Sequence, residues 1–334
     1  MSIKILKPGL FTTVQDIGRK GYMNVGFSEA GALDLNHYQI ASHLIGNDGP
    51  ALEFTIIGPS IQFLKENSFT IAGGRFNALL NGEAIESQII YGVKPGDILE
   101  IGNAIKGARG YITFGQPLDI PIIADSYSTH TRSNMGGYKG RSLKKDDIIQ
   151  TNDDPSYKNN IGRASQINLA NKDNVIHIIE GPQIESFSED AKAKLTDNEY
   201  VISEMSDRMG FRLKGENIAP EESADIISEP VALGSIQVPN DGNPIILLND
   251  KQTVGGYTKI ATVTQLGLSQ LVQFQPGESI RFKWISVEDA INESKQFNKQ
   301  FQEELKKIKS QPLYDMKNMR RTSRKLANLM KGEF

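Results

Sequence analysis

The chain of 334 residues contains no cysteine. Disulfides, thiol nucleophiles and thiolate metal sites are therefore excluded. Histidine is also scarce, with only His37, His43, His130 and His177. None has the close spacing of a zinc helix, no HExxH occurs, and no metal site is expected. His177 lies in an apolar run and is expected to be a core histidine. No stretch of about 18 apolar residues is present, so no membrane-spanning helix is expected. The start, Met1-Ser2-Ile3-Lys4-Ile5, has no apolar signal core. There is no GxxxxGK[ST] phosphate loop, no strand-linked GxGxxG and no G-x-S-x-G nucleophile elbow.

What is present is moderate in bulk and uneven in detail. The chain is 38% hydrophobic and 23% charged, which suits a folded globular protein of roughly two domains. The net charge of -3 hides an asymmetry. From Lys306 onward nine basic residues face only Asp315 and Glu333, while the preceding 305 residues hold 28 basic and 38 acidic ones. The body has no basic face for nucleic acid. The basic end reads as a solvated helical appendage, with RNA, a membrane surface or an acidic partner as the alternatives.

Short runs of Val, Ile, Phe and Thr are separated by Gly, Pro, Asn and Asp, a β signature. They include Leu52 to Ile57, Ser68 to Ala72, Ile98 to Ile101, Tyr111 to Phe114, Val175 to Ile179, Pro244 to Leu248, Ile260 to Val263 and Ser279 to Trp284. Asn81-Gly82 predicts a tight hairpin turn, because both residues tolerate positive φ. Helices are expected at Leu33 to Ile45, with Asp34 in its first turn, at about Val287 to Lys309, and at about Lys317 to Met330.

A weak internal repeat joins LEFTIIGPSIQF at Leu52 to Phe63 with IHIIEGPQIESF at Ile176 to Phe187. A second pair is Lys94-Pro95-Gly96-Asp97-Ile98 with Gln275-Pro276-Gly277-Glu278-Ser279-Ile280. The expected layout is a first β domain over 1–150, a linker over 151–172, a second β domain with an insertion over 173–286, and a helical basic tail over 287–334.

Candidate chemistry is polar. Asp16 and Arg19 share a turn with Gln15 and the pair Thr12-Thr13, either as an Asp–Arg pair locking a loop or as a frame for a small polar substrate. Asn249, Asp250, Gln252 and Thr253 form a similar cluster near Lys259, and Gly255-Gly256 lets a ligand approach the backbone. Arg208 and Arg212 flank Gly210, a pattern suited to an anion or a carbonyl, or to a surface turn. The segment Asn134 to Arg141 could hold a carboxylate or phosphate through backbone N–H groups with Arg132, Lys139 and Arg141, and a solvated turn fits equally well.

These motifs, in order, resemble the carboxyltransferase subunit 2 family, also called allophanate hydrolase subunit 2 or KipA-like. The markers are Gly9 to Asp16 with Gly18-Arg19 and Gly21-Tyr22, Gly31 to Asp34 with Asn36, and Leu52-Glu53. They continue with Ser206 to Leu213, Gly234 to Pro239 and Asp250 to Tyr257. The resemblance runs from about Ile5 to Ala290. It implies a mainly β fold of two cyclophilin-like β-barrels. It also implies a KipI-like subunit 1 partner. In the 5-oxoprolinase branch, a third subunit joins and ATP drives the opening of 5-oxoproline to glutamate. In the urea carboxylase branch, carboxyl is moved from carboxybiotin to urea. A third role is regulation, by sequestering a KipI-like inhibitor of a histidine kinase.

Neither an ATP loop nor a biotinyl site is in this chain. Asp315-Met316-Lys317-Asn318 is only faintly similar to the biotinylated Met-Lys-Met and lies in the basic tail, so ATP or biotin would be held elsewhere in a complex. The expected site is catalytic Asp16, Arg19 and Asp250, with substrate contacts from Thr13, Gln15, Arg208, Gln237, Gln252, Thr253, Gly255, Gly256 and Tyr257. Preorganised donors would stabilise charge on an amide oxygen and a carboxylate would orient or deprotonate the N–H. A small amide substrate, no membrane or nucleic-acid partner, and a cytoplasmic location complete the expectation.

Overall fold

The computed structural model describes residues 2–169 and 173–331. The end of the expected linker, 170–172, and residues 332–334 of the tail lie outside the described residues, as do several side chains of the last helix.

The first unit is a nine-stranded curled sheet. Its elements are β1 (Ile3–Lys7), β2 (Phe11–Gln15), α1 (Leu35–Ile45), β3 (Ala51–Thr55), β4 (Ser60–Phe63), β5 (Asn67–Leu80), β6 (Glu83–Ala84), β7 (Tyr91–Val93), β8 (Ile98–Phe114) and β9 (Ile148–Ile149). The sheet curls because β8 serves two neighbours. Its first part pairs with β4, its last part with β3, and β5 runs antiparallel along almost all of it. Register shifts lie between Gly73 and Ala78, and Gly73 packs directly on Gly110 across the ladder. Bulges of this kind bend a long strand without ending it. The two apolar runs Ile98 to Ile101 and Tyr111 to Phe114 are therefore one strand of 17 residues. The Asn81-Gly82 turn joins β5 to β6 with φ of 53° and 78°.

The second unit is a closed barrel in the order β10-β17-β14-β15-β12-β11-β18. Its strands are β10 (Val175–Glu180), β11 (Glu199–Ile202), β12 (Gly210–Lys214), β14 (Ser235–Gln237), β15 (Ile245–Leu247), β17 (Lys259–Val263) and β18 (Ser279–Trp284). Closure comes from a parallel pairing of β10 with β18. A separate ribbon of β13 (Asp225–Pro230) and β16 (Val254–Tyr257) projects from it. The fold is thus mainly β, as expected, and the two barrels that the resemblance implies are a curled sheet and a closed barrel.

The repeat has a structural counterpart in its turns. Gly96 and Gly277, at φ of 95° and 90°, occupy the same place in each Pro-Gly turn. Each donates its N–H to a strand carbonyl, of Phe63 and of Ile202 respectively. Each turn then leads into the long strand that follows, β8 or β18.

Two short helices escaped the sequence reading, α2 (Glu189–Asp197) and α3 (Gln265–Leu271), capped by Ser188 and Thr264. Ser188 followed by Glu189-Asp190 is a legible start signal. By contrast α3 has seven residues with Gly267 inside it, too short and too glycine-broken to show a period. The helix expected from Leu33 begins at Leu35, because Asp34 is its N-cap and accepts from the His37 N–H. Leu33 is released to join the apolar core of the second barrel. His177 is half-buried, not a core residue. Strand alternation aims Ile176 and Ile178 inward and turns His177 outward to Glu293 of α4, at 3.1 Å.

The helix α4 (Val287–Ile308) makes its apolar docking through its second half, where Phe301, Leu305 and Ile308 join Ile40, Leu44 and Ile45 of α1 in one core, while Glu293 and Ser294 of its first half make polar contacts to His177 and Gln265. A basic helix α5 (Met316–Lys331) follows. Phe301→Ala should remove about 3–5 kcal/mol of this docking. Hydrogen exchange should then show lost protection across the second half of α4 with the barrel strands unchanged; equal loss in both would refute independent docking.

Candidate functional site

The two β units meet along a polar seam built from the Asp16 to Asp34 segment on one side and residues 208 and 249–251 on the other. At its centre is Arg208, buried with its partners Glu53 and Asp250. Its Nε and Nη2 donate to the two Asp250 oxygens at 3.1 and 3.0 Å, Nη1 donates to Glu53, and Nη2 also reaches the Gly31 carbonyl at 2.7 Å. Burial alone would lower the Arg208 pKa, but Asp250 and Glu53 outweigh it and hold the guanidinium charged. The second Glu53 oxygen accepts from Leu33 N and the Tyr111 hydroxyl, both at 2.8 Å. The Tyr111 hydroxyl in turn accepts from Asp34 N at 2.7 Å. Asn249 continues the seam, with its side chain on the Ala30 and Ala32 carbonyls.

Asp34 extends the network to α1. Its carboxylate meets His37 Nδ1 at 2.6 Å and accepts from Gln273 Nε2 at 2.7 Å. Burial alone would depress the His37 imidazole, yet the Asp34 carboxylate raises its pKa above the ordinary 6.5. Burial alone would raise Asp34, yet His37 and Gln273 bring it below the ordinary 3.8.

Asp16 and Arg19 do not form an ion pair with each other within 4.0 Å. The backbone N–H of Gly18 and the hydroxyls of Ser126 and Ser128 donate to one Asp16 oxygen, and Tyr127 N donates to the other at 2.7 Å. That carboxylate is satisfied by the protein. Arg19 is fully buried, and its Nη2 donates to the Ser128 carbonyl. Its Nε and Nη1 have no acceptor among the described residues. Burial lowers the Arg19 pKa, with Asp16 and Asp250 opposing from nearby.

The glycine segment Asn134 to Arg141 makes room for this guanidinium and its cations are committed elsewhere. A Cβ on Gly136 would collide with Arg19 Nη2. Arg132 pairs with Asp207 at 3.2 Å, Arg141 is bidentate on Asp147 at 2.8 Å, and Lys139 lies over the Tyr138 ring.

The other expected site residues separate into three settings. Thr13 and Gln15 are buried on β2, where Gln15 Nε2 donates to Thr13 and to the Thr129 carbonyl while its oxygen accepts from Gly31 N. Arg212 is exposed on β12 and does not join Arg208. Gln237, Gly255, Gly256 and Tyr257 gather at the β13–β16 ribbon, with Gln252 exposed and Thr253 half-buried beside them. There a Cβ on Gly255 would lie 2.6 Å from Gln237 Nε2, a buried donor with no acceptor. Lys259, Glu229 and Gln183 complete that second cluster, with Lys259 Nζ 2.8 Å from Glu229. Among the described residues no group of three or more His, Asp or Glu could hold a metal ion.

The sequence reading did not place Glu53, Ser126, Ser128 or Lys251 in the site. Glu53 is the sole acid in its apolar run, a visible sign of a buried partnered charge. The serines gave no signal, because they come into range of Asp16 only through folding.

A curled sheet and a closed barrel joined by a buried arginine clasp define a two-subdomain β architecture, and its relatives give that class a family. Residues 25–284 match the carboxyltransferase domain, subdomain A and B. The chain is 32% identical to the 5-oxoprolinase C-subunit of Escherichia coli over 86% of this chain and 93% of that one. It is 30% identical to urea amidolyase of Saccharomyces cerevisiae, again over 86% of this chain but only 17% of that one. A crystal structure of K. lactis urea amidolyase superimposes with a TM-score of 0.82 and 28% identity, covering 91% of this chain and 20% of the other. The chain belongs to the carboxyltransferase domain, subdomain A and B, family.

Two tests follow from the seam. Arg208→Met should cost about 3–5 kcal/mol in denaturant unfolding, because it strands two buried carboxylates; a loss under about 1 kcal/mol would mean the clasp is not a structural joint. The His37–Asp34 pair should contribute fully between about pH 4 and 6.5, fading below as Asp34 protonates and above as His37 deprotonates. His37→Asn should flatten the decline in unfolding free energy that sets in as the pH rises above about 6.5, and an unchanged decline would assign it to another group.

Proposed function

We propose that the chain is one subunit of an ATP-dependent 5-oxoprolinase of the cytoplasm, opening 5-oxoproline to glutamate with a KipI-like subunit 1 and a third subunit. One observation carries this reading. The match to the 5-oxoprolinase C-subunit spans 93% of that protein, whereas the match to urea amidolyase spans 17%. The likeness to the oxoprolinase subunit thus runs through nearly the whole of that protein. With no phosphate loop in this sequence, ATP would be held by another subunit.

The seam suits an amide substrate. As the ring amide is attacked, negative charge grows on its carbonyl oxygen. Arg19 offers Nε–H and Nη1–H groups that no atom of the described residues accepts, and unpaired buried donors stabilise such charge strongly. Asp16 and Asp250 have their oxygens occupied by protein donors. Their role in this reading is to hold the neighbouring loops and keep the region's charge balanced. A second reading is carboxyl transfer from biotin on a separate carrier, favoured by the superposition on urea amidolyase over 91% of the chain.

The deciding experiment is glutamate release from 5-oxoproline and ATP by the assembled subunits. Release should vanish when this chain is omitted, and Arg19→Lys should lower kcat by about 100-fold in a complex that still assembles. No glutamate from a well-formed complex would reject hydrolysis, and carboxybiotin would be the next substrate. Undiminished kcat in Arg19→Lys would remove Arg19 from the site.

A further inference from the structure

Lys251 is a buried cation without an ion pair. It is 4% exposed, yet no carboxylate lies within 4.0 Å of its Nζ among the described residues. The Met23 sulfur, a weak acceptor, stands 4.0 Å from that Nζ. Asp250, next in the chain, is held by Arg208. Glu29 acts on Lys251 only from a distance and is paired with Lys20 at 3.3 Å. Buried ammonium groups are normally paired, because an isolated one loses much of its favourable hydration. Burial lowers the Lys251 pKa accordingly, with Lys20 adding to the effect and Glu29 opposing it.

The backbone of Lys251 is held by hydrogen bonds on both sides of the peptide. Lys251 N donates to the Leu248 carbonyl at 3.0 Å, and Ser28 Oγ donates to the Lys251 carbonyl at 2.7 Å. The Lys251 Nζ meets Met23, in the turn Met23–Val25 set between Gly21 and Gly26. Both glycines have positive φ, 85° and 88°, and a Cβ on either would touch nothing. Gly21, Asn24, Val25 and Gly26 are exposed. A charged donor lacking a strong acceptor thus sits on a hydrogen-bonded loop against an exposed, glycine-flanked turn.

We infer that Lys251 is a substrate-binding residue that takes the carboxylate of a carboxyl-bearing cyclic amide under the Gly21–Gly26 turn. This rests on the oxoprolinase reading and sharpens it, since 5-oxoproline carries a carboxylate that the parent lactam and urea lack. A bound carboxylate supplies the acceptor that Lys251 lacks and offsets its burial.

The test is calorimetric titration of the assembled complex with 5-oxoproline and with 2-pyrrolidinone, the same ring without the carboxylate. Lys251→Met should weaken 5-oxoproline binding about tenfold or more, raise KM more than it lowers kcat, and leave 2-pyrrolidinone affinity unchanged. Lys251→Arg should recover part of the loss. The free Lys251→Met chain should melt at or above the temperature of the unsubstituted chain, because an unpaired buried charge is gone. Equal weakening for both ligands, unchanged 5-oxoproline binding, or no 5-oxoproline binding by the unsubstituted complex would overturn the inference. Lys251-dependent binding of 5-oxoproline without glutamate release would reject the hydrolytic reading and leave the carboxylate contact standing.

Discussion

The clasp of Arg208 on Glu53 and Asp250 is the constraint around which the molecule is arranged. Glu53 belongs to the first sheet, Arg208 and Asp250 to the loops of the barrel, and all three are buried. Such a group is costly to bury alone and worth keeping only if every donor and acceptor is met. Here four donor contacts from the guanidinium are accepted by Glu53, Asp250 and Gly31. The remaining Glu53 oxygen accepts from Leu33 N and Tyr111. Those bonds fix the chain just before α1, and Leu33 itself enters the core of the other unit. Polar and apolar contacts therefore set the relative position of the two units together.

The same logic sorts the seam's ionisable groups. Asp16, Glu53 and Asp250 are occupied by protein donors, so they stabilise the architecture. Arg19 and Lys251 are buried and incompletely satisfied, which is the condition expected of groups that await a ligand. A site that keeps its carboxylates satisfied and its cations unsatisfied is suited to an anionic or oxygen-rich substrate. The ribbon cluster around Gln237 and Lys259 is a second polar locality, and its Lys259 is already neutralised by Glu229.

Much of the fold was legible because its signals are local. Short apolar runs marked seven of the eighteen strands among the described residues, Asn81-Gly82 marked a hairpin, and the helix expected from about Val287 starts there, capped by Ser286. Three of the misses share one cause, dependence on a distant residue. Runs at 98–101 and 111–114 merged because β5 pairs continuously alongside them. Asp34 became a cap once Glu53 and Tyr111 fixed the preceding backbone. His177 left the core because α4 supplied a carboxylate on the barrel's outer side.

The sequence alone determined composition-level exclusions, the β character, the two-unit repeat and the polar motifs that carry the family resemblance. These are properties of single segments, set by backbone preference and side-chain period. Only the tertiary structure decided which charges meet. Asp16 and Arg19, three residues apart, form no ion pair with each other, while Glu53 and Arg208, 155 residues apart, share a bond. Pairing of buried charge depends on distances and desolvation that exist only after the sheet and barrel have packed, and so does the lone position of Lys251.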